Sequence, residues 1–162
     1  MATLQPYPFT SFNFAVEIQR DGAAQPLVNA AFSDCDGLEM NMEVKTIREG
    51  GANHRQIRLN GPAAYGQLTL KRGMTENFEL WQWFKDSQAN PRLRASTQVV
   101  LLAPDGTTAR AQFRLSRCVP VKIKAPALSA KDGQIAVEEL QVAYETLEFI
   151  DPKNPPRQES AS

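Results

Sequence analysis

Reactive side chains are scarce in this sequence: one histidine, His54, and two cysteines, Cys35 and Cys118, are all that 162 residues supply. A lone histidine in a polar turn has no second ligand beside it, which argues against a metal site, and no neighbour that would make it a catalytic base. The cysteines are far apart and form no CxxC pair, so they read as two reduced thiols, with a disulfide as the alternative. Cys35 stands between Asp34 and Asp36, and neighbouring carboxylates raise a thiol pKa and blunt its nucleophilicity. Cys118, between Arg117 and Val119, reads as strand core. An excess of one charge is also missing: eighteen basic and eighteen acidic residues cancel, whereas a dedicated nucleic-acid binder normally shows a basic excess.

Other absences narrow the field further. No stretch approaches the roughly 18 apolar residues that cross a bilayer, so no membrane insertion is expected. Residues 1–10 lack the basic segment and apolar run of a secretory signal, and the expectation is a chain made in the cytoplasm without one. No glycine-rich segment leads from a strand into a helix as a phosphate loop requires; Glu49-Gly50-Gly51 reads as a turn. The adjacent carboxylates Glu138 and Glu139 would face opposite sides of a strand. The other acidic pair, Glu43 with Glu49, lies in a polar extended segment. No catalytic residue, metal site or cofactor is expected, and the chain does not read as an enzyme.

What is present is β periodicity. Phe12, Phe14, Val16 and Ile18 alternate with polar residues, the period-two signature of a half-buried strand, and Asp21-Gly22 closes it. A second apolar stretch, Leu27 to Phe32, leads to a turn at Asp36-Gly37. From Glu39 to Asn60 the chain is polar and extended. Met40, Met42 and Val44 alternate before a tip of Glu49-Gly50-Gly51-Ala52-Asn53, and Ile57 and Leu59 resume until Gly61-Pro62. This predicts a long hairpin arm, broken at Gly61-Pro62, with few apolar residues to bury and little reason to be ordered on a lone copy. Leu68 and Leu70 point inward in a strand ended by Gly73. Thr97 to Ala103 and Ala109 to Val119 are further strands about a Pro104-Asp105-Gly106 turn. Pro120, Pro126 and Asp132-Gly133 punctuate a connection. The last strand, Gln134 to Ile150, shifts its apolar phase and so predicts a bulge or bend.

One helix is expected. Thr75 is a good N-cap, Glu76 and Glu79 suit the positive end of the helix dipole, and the helix ends before Asn90-Pro91. Phe78, Trp81 and Phe84 recur at helical spacing and are expected to form its core face, turning Trp83 to the flank. The fold class is therefore mainly β: an antiparallel β-barrel or sandwich with one flanking α-helix and a long extended hairpin arm. Residues 1–150 form a single domain, followed by a flexible polar tail over 151–162.

Several segments form a distinctive ordered set: Phe12-Asn13-Phe14-Ala15-Val16-Glu17-Ile18, Phe32-Ser33-Asp34-Cys35-Asp36-Gly37-Leu38, Ile47-Arg48-Glu49-Gly50-Gly51-Ala52-Asn53, Leu68-Thr69-Leu70-Lys71-Arg72-Gly73-Met74-Thr75 and Leu80-Trp81-Gln82-Trp83-Phe84. Over roughly residues 8 to 150 the chain resembles the tail-tube family of contractile phages, also found as the inner tube of extracellular contractile injection systems. It looks less like the secreted tube proteins of type VI secretion. The resemblance implies six copies joined edge to edge in a ring, with rings stacked into a tube. A contractile sheath protein, baseplate or spike and terminator proteins would be partners, and DNA or a protein effector would travel in the lumen. In that setting Glu43, Lys45, Arg48, Glu49, Gly50, Gly51, Asn53, Arg55 and Arg58 of the arm would form contacts between copies. A rival reading, a stand-alone β-barrel module for a sugar or apolar ligand, predicts a monomer with an internal cavity.

Overall fold

A computed structural model describes residues 13–30, 32–48, 50–51, 55–131 and 133–155. Phe12 and the end of the tail beyond residue 155 lie outside them. The first strand, β1 (Phe14–Arg20), follows its alternation, with Val16 and Ile18 fully buried. It pairs with β2 (Val28–Ala30). Then come β3 (Asp34–Asp36), the arm strands β4 (Met40–Arg48) and β5 (Gln56–Tyr65), and β6 (Gln67–Gly73). Helix α1 (Glu79–Ala89) separates these from β7 (Ala95–Leu102), β8 (Ala109–Lys124), β9 (Val137–Ala143) and β10 (Thr146–Ile150). The β7–β8 turn is tied by Asp105, whose carboxylate accepts bonds from the Thr107 and Thr108 amides and the Thr108 hydroxyl. Those donors hold its pKa down to about 2.

All strand pairs are antiparallel, and β8 belongs to two layers. Its first part lies between β7 and β10; its last part pairs with β9. The first layer is β2-β1-β7-β8-β10 and the second is β8-β9-β6-β3. The corner falls at Arg117, a non-glycine residue at φ 53°, opposite Tyr144 and Glu145. The single last strand expected over Gln134 to Ile150 is thus two strands, one for each layer, and the phase shift is the corner between them. Pro120, expected in a connection, instead lies inside β8. The pairing with β9 slips there, between Pro120 and Lys122, and a bulge is where a strand tolerates proline.

One core fills the space between the layers. Val16, Ile18, Val99 and Leu115 of the first layer meet Leu68, Leu70, Leu140 and Val142 of the second. Helix α1 closes the packing with Leu80 and Trp83, at 1% and 0% exposure. The expected helix face is therefore corrected. Phe78 precedes the helix and is 56% exposed, while Trp81 and Phe84 are only partly buried. Thr75 does not cap the helix. Its hydroxyl accepts from the Asn77 amide, and the Asn77 side chain accepts from the Glu79 amide, so helical winding starts three residues later than expected. The later start leaves Phe78 outside the helix, and the face packed on the core carries Leu80 and Trp83.

Candidate assembly interface

The arm strands β4 and β5 pair only with each other, apart from the main sheet. Gly61-Pro62 does not break them: the pairing runs on to Met40↔Tyr65, with a bulge that sets Glu43 against Gly61 and Pro62. A Cβ on Gly61 would stand 2.7 Å from the Glu43 carbonyl oxygen, so the bulge takes glycine. The arm is also richer in exposed apolar surface than its sequence pattern suggested. Met40, Met42, Val44, Ile47 and Leu59 are 56, 55, 58, 47 and 46% exposed. Register divides them between two faces. Met40, Met42 and Val44 share one face near the base with Tyr65 and Ala63. Ile47, Ile57 and Leu59 share the opposite face nearer the tip.

The arm's charges interleave with these patches. Glu43, Lys45, Arg48, Arg55 and Arg58 are all exposed, and among the described residues none of them makes an ion pair. Gly50 and Gly51 form the described part of the turn, with open space around both. Glu49, Asn53 and His54 lie outside the described residues.

The base of the arm is fixed by Tyr144, a residue the sequence did not mark. Its hydroxyl donates to the Gly37 carbonyl at 2.7 Å and accepts from the Glu39 amide at 3.3 Å. Its ring lies 5.9 Å from that of Tyr65. Gly37 itself, at φ 97°, runs so close to β6 that an added Cβ would overlap the Gln67 carbonyl oxygen. A buried network holds the helix approach. The Arg72 guanidinium pairs with Glu138 and donates to the Asn77 carbonyl, and Trp81 Nε1 donates to the other Glu138 oxygen at 2.9 Å. Glu139 faces away from it, on the outer side of the second layer, as the alternation required.

The remaining candidates are not arranged for chemistry. Cys118 is buried in the core. Burial and, secondarily, the charge on Asp36 push the Cys35 thiol up to about 11. Among the described residues, no group of three His, Cys, Asp or Glu side chains is placed to hold a metal, and no helix is long and apolar enough to cross a membrane. A second exposed apolar feature is the loop after β8, where Leu128 and Ile135 are 88 and 84% exposed. They border an open cleft of about 520 Å³ together with Lys71, Lys124 and Glu139. This loop meets the far end of β6, where the Met74 amide bonds the Ala136 carbonyl. The arm leaves from the opposite end of that strand.

A packed sandwich from which a ribbon projects with apolar patches on both faces has the geometry of a structural assembly subunit. The chain belongs to the T4-like virus tail tube protein gp19 family, whose profile matches residues 10–148. A search of curated protein sequences returns no match. Among solved structures, the chain is similar to one in the anti-feeding prophage baseplate, 6-fold symmetrised, at 25% identity and a TM-score of 0.80. That match covers 93% of this chain and 100% of the other. It is similar at 20% identity and a TM-score of 0.76 to a chain of the PVC sheath–tube complex, an extracellular contractile injection system in the extended state, over 90% of this chain and 93% of that one. An Hcp protein shares the fold less closely, at 9% identity and a TM-score of 0.51, over 88% and 94% of the two chains.

Proposed function

We propose that this chain is the inner-tube subunit of a contractile particle, with residues 1–150 as the tube domain. It forms hexameric rings that stack inside a contractile sheath and leave a conduit for DNA or protein cargo. The observation that carries this reading is the arm. A two-stranded ribbon is at best marginal by itself in water, and this one exposes apolar side chains on both faces. Covering both faces takes neighbours on both sides, which stacked rings supply. The arm and the Leu128–Ile135 loop leave opposite ends of one strand, an arrangement suited to contacts along an axis. Family membership and the likeness to chains of a 6-fold symmetrised baseplate and of a sheath–tube complex support the same reading. Sheath, baseplate or spike, and terminator proteins are the partners it calls for.

Within the arm, Glu43, Lys45, Arg48, Glu49, Gly50, Gly51, Asn53, Arg55 and Arg58 are the proposed contact residues. Exposed ion pairs contribute roughly 0–1 kcal/mol each, so the apolar patches and repetition along the tube supply most of the cohesion. The rival binding-module reading called for an internal cavity, whereas side chains from both layers and α1 fill the interior. Electron microscopy of a chain lacking residues 48–55, and of Ile47→Thr/Ile57→Thr, tests the proposal. Folded monomers without tubes are expected, and normal tubes from both would refute it.

A further inference from the structure

The base of the arm presents two of the chain's four methionines side by side. Met40 and Met42 stand two apart on β4, so both side chains leave the same face, and both are more than half exposed. Across the ribbon Met40 lies opposite Tyr65 and Met42 opposite Ala63, and Val44 extends the patch. Asn41, between them, turns to the other face and donates to the Glu39 carboxylate. This part of the arm is also the part that is held. The Glu39 amide donates to the Tyr144 hydroxyl, and the Glu39 carbonyl accepts from the Gly66 amide. The two sulfurs therefore project from anchored backbone. The thiols compete poorly for an oxidant, which takes thiolates: burial keeps Cys35 protonated and encloses Cys118. Met74, just beyond the far end of β6, is less exposed than either arm methionine.

We propose that Met40 and Met42 form a modification site, where hydrogen peroxide converts the thioethers to sulfoxides and so withdraws a free subunit from assembly. This rests on the reading of the arm as a contact surface and adds how that surface is switched. In the reaction a sulfur lone pair attacks one peroxide oxygen. The S=O bond forms as the O–O bond breaks, sulfur gives up two electrons, and the departing hydroxide takes the proton and leaves as water. No other co-reactant is needed. The product differs from methionine in the property that the contact uses. A thioether is apolar and adapts to irregular surfaces, whereas a sulfoxide carries a strong acceptor and no donor. Burying that oxygen unpaired weakens a contact about tenfold or more. On the free subunit it is hydrated, so the fold is spared and the contact is lost. Once a neighbour covers the face, peroxide no longer reaches the sulfurs, and oxidation acts before assembly and not after it. The change is reversible, because methionine sulfoxide reductases restore the thioether.

Peroxide treatment of the full-length subunit tests this, with peptide mass spectrometry reading each methionine. Met40 and Met42 are expected to oxidise ahead of Met74. The concentration needed for tubes is expected to rise at least about tenfold, with monomer melting near the untreated value. Sulfoxide reductases are expected to restore tubes. Met40→Leu/Met42→Leu keeps volume and apolarity without sulfur, and is expected to assemble like wild type and to ignore peroxide. Met40→Gln/Met42→Gln, polar from the start, is expected to assemble poorly with no oxidant. In preformed tubes both methionines are expected to oxidise at least about tenfold more slowly than in the free subunit. Oxidised wild type that assembles normally, or a leucine variant as peroxide-sensitive as wild type, overturns the site and leaves the tube reading standing. Equal oxidation rates in tubes and free subunit, or a loss of tubes that the reductases do not reverse, overturn it as well. A wild-type chain that forms no tube at any concentration overturns the tube reading, and this inference with it.

Discussion

The Tyr144 hydroxyl donates a hydrogen bond to the carbonyl oxygen of Gly37 at 2.7 Å, joining the sheet corner to the link that leads from β3 into the arm. Both partners are largely shielded, so removing the hydroxyl leaves an unsatisfied carbonyl. Tyr144→Phe is expected to cost about 1–3 kcal/mol. Hydrogen exchange should show faster opening at residues 38–42 than in the core strands, which separates a loosened arm from general destabilisation.

Breaking the ion pair of Arg72 and Glu138 from one side should be among the most damaging single changes. Both side chains are almost fully buried. Glu138→Ala strands a guanidinium and the Trp81 indole N–H, for an expected loss of about 3–5 kcal/mol in urea unfolding. Arg72→Met/Glu138→Leu should lose less than the single change, because no buried charge is left unpaired.

The corrected helix face makes a paired prediction. Trp83→Ala opens a cavity in the core and is expected to cost about 3–5 kcal/mol. Phe78→Ala, on an exposed side chain, should stay within about 0.5 kcal/mol in the monomer. Thermal melting of the two variants checks the order.

The Cys35 thiol is held protonated by its surroundings, which can be read directly. With its pKa raised to about 11, chiefly by burial, iodoacetamide labelling at pH 8 should be on the order of a hundredfold slower than for an open thiol near 8.5. The folded-state value lies above the unfolded one. The thiol's contribution to stability is therefore fully present below pH 8.5 and is lost as pH rises through 11. Mass spectrometry of the labelled peptide across pH 8 to 11 follows the rate.

The alternation in β1, the inward Leu68 and Leu70 of β6, and the arm were legible because period two exposes them directly. Even the corner was foreshadowed by the phase shifts after Val137. The helix face was not. Phe78, Trp81 and Phe84 stand three apart, but so do Leu80 and Trp83, so periodicity alone offered two stripes, and packing against the two layers buries the second. The hydrogen bonds at Thr75 and Asn77, which leave Phe78 outside the helix, have no periodic signature. Tyr144 and the Arg72–Glu138 pair were hidden because their roles depend on partners 107 and 66 residues away, respectively. The apolar content of the arm was underestimated because its charges are denser. Only the register revealed that its hydrophobic residues gather at different heights on two faces.

Strand β8 runs for sixteen residues through both layers. A sandwich whose layers touch only through side chains can slide along its core under load, because dispersion contacts are weak in shear and reform after a small step. Here the backbone of one strand passes from layer to layer, and β9–β10 crosses beside it in antiparallel register. Axial thrust on the second layer is carried into the first by covalent bonds and a hydrogen-bonded ladder. The two layers must therefore yield together or not at all.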